Sequence, residues 1–373
     1  MTRPGPEAMA GVDRMLSAQP LTADNIALLA ALYEDYRANA RDLYRLGHDA
    51  IAFEQLAQGV RQGFFEGYLV LDDAEPEPLA FMLLVLEAHR AYEINIIHIA
   101  APHRETRWKA ITDTLMRRLI ADLKPRQNYD VVSYAMLGAQ DFLVQTLPWY
   151  GFRPVGQAVT QYDIMDMVSL QILKQQQLPA LPPGYRLVRW QPALAGEAAA
   201  CVHAAFQHSA DALWDPRFRT LMGCRKVVAM ITGDLMGPHL SGCTALLVRD
   251  NPDGGQVVGF CFLIQATMEE GNIPLIGVHP DEKHKGFGSQ LLKFTLEGVL
   301  DGILGGRIGM LRISATHDTD NIAAIKLYRR MSFREEHHYP HVALTREKVL
   351  AFQPGLWCAP TQTTPVSPAE VAS

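Results

Sequence analysis

The pattern of secondary structure read from Tyr185 to Leu350 has already run once between positions 21 and 165, and that repeat limits the chain more than any single motif. In the first copy, "TADNIALLAALYEDYRANARDLYRL" and "IAFEQLAQGV" carry apolar residues three and four apart, as amphipathic helices do. Strand-like runs follow at "GYLVLDD", "PLAFMLLVLEAHR" and "YEINIIHIAAP". After them come a helix at "AITDTLMRRLIADL", a strand at "DVVSYAM", a helix at "QDFLVQTLPWY" and a strand at "FRPVGQAVTQYDIM". The second copy has strand "YRLVRW", helices "ALAGEAAACVHAAFQ" and "FRTLMGCRKVVAMI", and strands "CTALLVRD", "QVVGFCFLIQATM" and "IPLIGVHP". It ends with a helix from Gly288, strand "GMLRISA", helix "NIAAIKLYRRM" and strand "FREEHHYPHVAL". Such a repeat calls for two similar α/β domains in tandem, and 373 residues are enough for two.

The expected organisation is a flexible tail over 1–20, a domain over 21–165, a helix and Pro-rich linker over 166–183, a domain over 184–350 and a disordered tail over 351–373. Asp253, Gly254 and Gly255 supply turn chemistry between two strands of the second domain. The net charge of −6 argues against a nucleic-acid partner, because phosphate backbones demand a basic face. Five cysteines without C-x-x-C spacing suit a reducing compartment. The longest apolar run, "PLAFMLLVLEA", is about half of the roughly 20 residues a membrane span needs. The opening residues hold no apolar h-region, so no signal peptide is expected. A cytoplasmic protein without membrane partners is the expectation, as monomer or homodimer.

Chemistry concentrates at "DEKHKGFGSQLL", Asp281 to Leu292. A loop that opens a helix presents unpaired backbone N–H groups, and the helix dipole adds partial positive charge. Gly286 and Gly288 let a bulky anion approach those amides, with Lys283, His284 and Lys285 beside them. A dinucleotide fingerprint would want glycine at position 291, where Leu291 stands, and a Walker Gly-Lys-Ser/Thr is absent. Taken alone, the loop is either a phosphate cradle or an ordinary glycine turn.

With its surroundings, "VHPDEKHKGFGSQLL" resembles motif A of the GNAT superfamily (GCN5-related N-acyltransferases), a strand, a Gln/Arg-x-x-Gly-x-Gly/Ala loop and a helix, with Lys283 in the Gln/Arg place. Downstream, "NIAAIKLYRRMSF" resembles motif B: Asn321, Ala324, Tyr328 and Phe333 match, and Ser332 replaces a glycine. The resemblance implies two GNAT folds, each a mixed, mostly antiparallel sheet flanked by helices, in a tandem arrangement similar to mycothiol synthase. It implies acetyl-CoA, or another acyl-CoA, as co-substrate, held by Ile276, Gly277, Val278, Lys283, His284, Lys285, Gly286, Phe287, Gly288, Ser289 and Asn321. Asn321 is equally good as the N-cap of the next helix.

The resemblance also makes Tyr328 the general acid that protonates the leaving thiolate, though a tyrosine there could simply pack the core. Its general base is harder to place. Many relatives carry a glutamate where this chain has Asn272, which leaves Glu270 or Glu269, either of which could be a solvated turn residue. Asp211, Trp214 and Asp215 fall where relatives shape the acceptor pocket, the carboxylates for a cationic amine and the indole as a wall. The same residues also suit a core anchor and a helix cap. The first domain has Trp108 and Ala110 at the two glycine positions, and Leu147 for the tyrosine, so it reads as a degenerate copy.

Cys261 reads as core, and "EEHHYPH" places His337 and His338 on opposite faces of a strand, so no metal is expected. The reading is an N-acetyltransferase acting by direct attack of a small-molecule or peptide amine in the second domain. The alternative is a non-catalytic acyl-CoA-binding sensor or scaffold.

Overall fold

The computed structural model describes residues 16–45, 50–138, 140–251 and 255–353; both expected tails lie largely outside this range, as do Asp253 and Gly254 of the expected turn. The elements of the first half are β1 (Leu16–Pro20), α1 (Ala30–Tyr44), α2 (Phe53–Arg61), β2 (Glu66–Asp72), β3 (Glu75–Leu86), β4 (Ala91–Ile99), α3 (Trp108–Leu123), β5 (Val131–Ala135) and α4 (Asp141–Thr146). Then come β6 (Arg153–Asp163), α5 (Met167–Gln175), β7 (Tyr185–Arg189), α6 (Ala195–Phe206), α7 (Asp211–Trp214) and α8 (Leu221–Thr232). The rest are β8 (Ala245–Arg249), β9 (Gln256–Cys261), β10 (Ile264–Gln265), β11 (Glu270–Ile273), β12 (Ile276–Val278), α9 (Phe287–Leu304), β13 (Arg312–Asp318), α10 (Ile322–Arg330), β14 (Arg334–Thr345) and α11 (Arg346–Ala351).

These elements form two units of mixed α/β architecture, in each of which the strands pair mostly antiparallel and are flanked by helices. The first unit takes 1–154 together with 341–373, and the second takes 155–340. The sequence expectation cut the chain at 165 and 184 instead. Strand pairing accounts for the difference. β6 runs antiparallel to β13 from Arg312↔Asp163 to Asp318↔Gln157, which ties it to the second unit. The end of β14 pairs with β5 from His341↔Ala135 to Thr345↔Val131, which ties it to the first. Residues 166–183 belong to the second unit, where Lys293 Nζ donates to the Gln176 carbonyl at 2.6 Å and Gln290 Nε2 donates to that of Pro179.

In the first unit β1 to β4 are antiparallel, β4 and β5 are parallel, and α3 buries Ile111, Leu115, Leu119 and Ile120 against the sheet. These positions recur at helical spacing, so one apolar stripe faces the core. The second unit repeats the plan: α9 buries Leu291, Leu292, Leu296 and Val299 in a core with Leu247, Val258, Cys261 and Ile313.

One departure from the sequence reading creates the site. "IPLIGVHP" reads as one strand, yet the chain is extended from Glu270 to Ile273 beside β13, breaks at Pro274 and Leu275, and resumes from Ile276 to Val278 beside β9. Pro274 has no N–H for a ladder, which favours the break there. Consequently β11 and β12 belong to different sheets, and β12 is an edge strand.

Candidate functional site

An edge strand has one side of its backbone unpaired. β12 uses the other side for β9, with Ile276 opposite Cys261 and Val278 opposite Gly259. Its open side borders a cleft of about 490 Å³, which Ile276, Gly277 and Val278 line together with the loop before α9 and the start of α10.

The loop is built for a sharp entry into α9. His284 and Gly286 both sit in the left-handed region, at φ 65° and 79°. Gly286 is the N-cap of α9, no side chain caps that terminus, and a Cβ at Gly286 would meet nothing within 4 Å. A left-handed N-cap with open space in front of it can receive an anion on the first-turn amides. Lys283, His284, Gly286, Phe287, Gly288 and Ser289 all line the cleft. The Phe287 ring itself packs on Tyr185, with centroids 4.9 Å apart, so its backbone is what it offers there.

Lys285 is a correction. It does not line the cleft; its ammonium donates to Glu282 Oε2 at 2.6 Å. Glu282 is buried under the loop and also accepts from Arg249 Nη1 at 2.7 Å and the Tyr185 hydroxyl at 2.9 Å. Burial by itself would push the Glu282 carboxyl up, but the bonds from Lys285 and Tyr185 and the charges of Lys285 and Arg249 outweigh it and hold the group below its usual value. The Lys285 charge therefore anchors the loop from beneath.

Asn321 has both of its expected features. Its Oδ1 accepts from the Ala324 N–H at 3.0 Å as the N-cap of α10, and it lines the cleft. Lys326 and Arg330, one turn apart on α10, bring two more cations to the same wall. Sequence reading missed them because cations on a helix usually mark a solvated face. Ser332 takes the left-handed position after α10, at φ 65°, where motif B has glycine.

Tyr328 is not on the cleft surface. Only 2% of it is exposed; it stacks on His317 at 5.5 Å and packs against Phe333 at 5.1 Å. Burial first, and Cys261 second, push its hydroxyl well above the ordinary tyrosine range. Cys261 is buried, with its thiol raised to about 12 chiefly by burial, and so behaves as core. Among the described residues no three His, Cys, Asp or Glu side chains are placed to hold a metal, and no helix is long and apolar enough to cross a membrane.

The expected base is also displaced. Glu270 does not line the cleft; its Oε2 accepts from Arg312 Nε at 3.1 Å. Asn272 donates to Ser314 Oγ at 3.0 Å. Of the three acceptor candidates, only Asp211 reaches the cleft. Asp215 caps the turn Pro216–Arg219, accepting from the Arg217 N–H at 3.0 Å and pairing with the Arg217 guanidinium at 2.7 Å, and Trp214 does not line the cleft. Asp318, at the end of β13, joins Asp211 there, a residue the sequence reading did not single out. Burial first, then the Asp318 charge, raise the Asp211 carboxyl to about 6.

Residues 241–335 match the acetyltransferase (GNAT) domain family. The fold is similar to a GCN5-related N-acetyltransferase from Sphaerobacter thermophilus, with a TM-score of 0.55 and 17% identity over 89% of this chain and 96% of that one. It is also similar to a tandem GNAT protein from the clavulanic acid biosynthesis pathway, with a TM-score of 0.50 and 11% identity over 89% and 99%. A third likeness, at TM-score 0.54 and 12% identity, is to a glucosamine N-acetyltransferase region in a fungal multi-domain β-N-acetylglucosaminidase, of which this chain covers 38%. No curated protein matches the sequence.

Proposed function

Because this chain carries a GNAT acetyltransferase domain, we propose that its second unit transfers an acetyl group from acetyl-CoA to a primary amine by direct attack. The observation that carries this reading is the single cleft joining the left-handed Gly286 turn, the open edge of β12 and the cationic side chains Lys283, Lys326 and Arg330. The first-turn amides of α9 would take the pyrophosphate, and Lys283, His284, Lys326 and Arg330 would surround the remaining phosphate charge. The open side of β12 would hold the pantetheine arm in strand-like fashion, and an N–H of that edge would steady the developing oxyanion. Asn321 would combine its capping role with a contact to the coenzyme.

Tyr328 is the proposed proton donor to the leaving thiolate. Its raised pKa keeps it protonated, and α10, the helix that carries it, lines the cleft through Ala324 and Leu327. No cysteine intermediate is invoked, since every described cysteine is buried. The competing reading, an acyl-CoA sensor without turnover, draws support from Glu270, whose carboxylate is engaged by Arg312. Calorimetric titration with acetyl-CoA, followed by thiol release in the presence of a panel of amines, separates the two. Binding with amine-dependent thiol release supports the transferase, and binding without release for any amine supports the sensor.

A further inference from the structure

Asp211 and Asp318 come from distant parts of the sequence, one opening α7 and the other closing β13, and both line the cleft. Asp318 is positioned by a neighbour. Gln157 Nε2 donates to Asp318 Oδ1 at 2.6 Å, and Asp318 ends the strand that pairs with β6. Other groups face Asp211. Tyr339 is close enough for its hydroxyl to be raised to about 12, by burial and then by the Asp211 charge. Asp215 is already matched by Arg217 at 2.7 Å. His317, next to Asp318, directs Nδ1 toward the Asp318 carbonyl at 3.0 Å and stacks on Tyr328. Among the described residues no lysine, arginine or histidine pairs with either carboxylate.

Two half-buried carboxylates on one cleft, neither of them ion-paired with the cleft's own Lys283, Lys326 or Arg330, are costly, because each charge loses water and repels the other. A bound ammonium would relieve both penalties. Resting on the acyltransferase reading, we propose that Asp211 and Asp318 form the acceptor subsite: together they hold a cationic amine, and Asp211 takes its proton. The acceptor is then a protonated aliphatic amine, favoured when it carries a second positive charge and disfavoured when it carries a carboxylate. The ammonium gives one proton to Asp211, and the freed lone pair attacks the thioester carbonyl carbon. The C–N bond forms and the C–S bond breaks. The thiolate takes a proton from Tyr328, the amide nitrogen loses its second proton to restore Tyr328, and Asp211 returns its own to water. The sum is ammonium plus thioester giving amide, thiol and one released proton.

The test uses the full chain with 1,4-diaminobutane, butylamine and glycine as probes. Diamine binding is measured by calorimetry, and kcat/KM by thiol release between pH 5 and 9. The diamine should be the best substrate and glycine the poorest. Asp211→Asn should lower kcat/KM for the diamine about 100-fold at pH 7, while the acetyl-CoA Kd changes less than twofold. The wild-type profile should rise on an acid limb near pH 6. Asp318→Asn should weaken diamine binding and move that limb to lower pH, because it removes a charge that raises Asp211; no folding defect produces this gain. Asp318→Asn with the limb unmoved, equal turnover of glycine and the diamine, or no diamine binding to the wild type would each overturn the subsite. If the diamine binds and Asp318→Asn weakens it while acetyl-CoA does not bind, the subsite stands and the acyltransferase reading fails.

Discussion

Lys285 Nζ lies 2.6 Å from Glu282 Oε2, so a cation that the sequence offers to a ligand is instead committed to the floor of the ligand's loop. Only 2% of the Glu282 side chain is exposed, and the loop they brace takes the left-handed conformation at His284 and again at Gly286, on either side of Lys285. An acid that ties Tyr185, Arg249 and Lys285 together can hold that strained backbone ready for an anion.

Glu282→Gln should therefore weaken acetyl-CoA binding by loosening the loop that Glu282 holds. Loss of charge-assisted bonds at a site whose partners Arg249 and Lys285 are half exposed should cost about 1–3 kcal/mol of stability. Because the folded pKa is depressed, this stabilisation is present above the unfolded carboxyl value and is lost as pH falls through the folded one. Lys285→Ala should act the same way, lowering Tm. Lys283→Ala should leave Tm alone and flatten the salt dependence of the acetyl-CoA Kd. Identical behaviour of the two lysine variants would contradict this division.

Tyr328→Phe removes a hydroxyl but keeps a ring packed on His317 and Phe333. A positioned acid contributes about 10²–10⁴-fold, so kcat should fall at least tenfold while acetyl-CoA binding stays within twofold. Unchanged turnover, with chemistry shown to limit the rate, would take Tyr328 out of the mechanism.

Glu270→Gln is expected to leave the pH–rate profile parallel to wild type, because that carboxylate is engaged with Arg312 and stands off the cleft. The lost partly exposed pair should cost no more than about 1 kcal/mol. A loss of activity concentrated at neutral pH and fading toward pH 9 would restore Glu270 as the base.

The contrast between Glu270 and Asp211 shows where sequence reading stops. The glycine loop, Lys283, His284 and Asn321, which line the cleft, lie within two short segments whose spacing already encodes a turn and a helix start. They were legible for that reason. Asp211 and Asp318 meet only because β13 and the α7 segment converge on one cleft, a long-range consequence of the fold. Likewise, the unit boundary at Pro154 and Val155 depends on β6 choosing β13 as its partner, and no local propensity records that choice. The break at Pro274 was visible as a residue but not as a change of sheet.

In the first unit, His98 is fully buried, with the Tyr44 hydroxyl 2.7 Å from Nδ1 and Asp35 Oδ2 2.8 Å from Nε2. Burial lowers its pKa to about 4, against the opposing effect of Asp35 and with help from Arg104. The unfolded chain takes up this proton near pH 6.5 and the folded chain only near 4. Stability should fall as pH drops between those values, by roughly 3 kcal/mol from this group at about 1.4 kcal/mol per pKa unit. His341, also lowered to about 4 by burial, should add a second such proton. Denaturant titrations from pH 7 to 4.5 should show that slope, and His98→Gln should lower it by about one proton.

The last prediction is one acyl-CoA per chain, bound in the second unit. Gly286 offers a left-handed turn with open space at its Cβ position, whereas the corresponding turn of the first unit carries Trp108, packed against the core, and Ala110. Arg107, beside that tryptophan, is committed to Asp72 and to Glu75 at 2.7 Å. Gly286→Trp copies the first unit's residue into the second. It should abolish acetyl-CoA binding while costing about 1–2 kcal/mol of stability, since a side chain at φ 79° is strained but its Cβ meets no neighbour. Calorimetry on the wild type should give a stoichiometry near one. A value near two, or undiminished binding by Gly286→Trp in a protein that is still folded, would place coenzyme in the first unit.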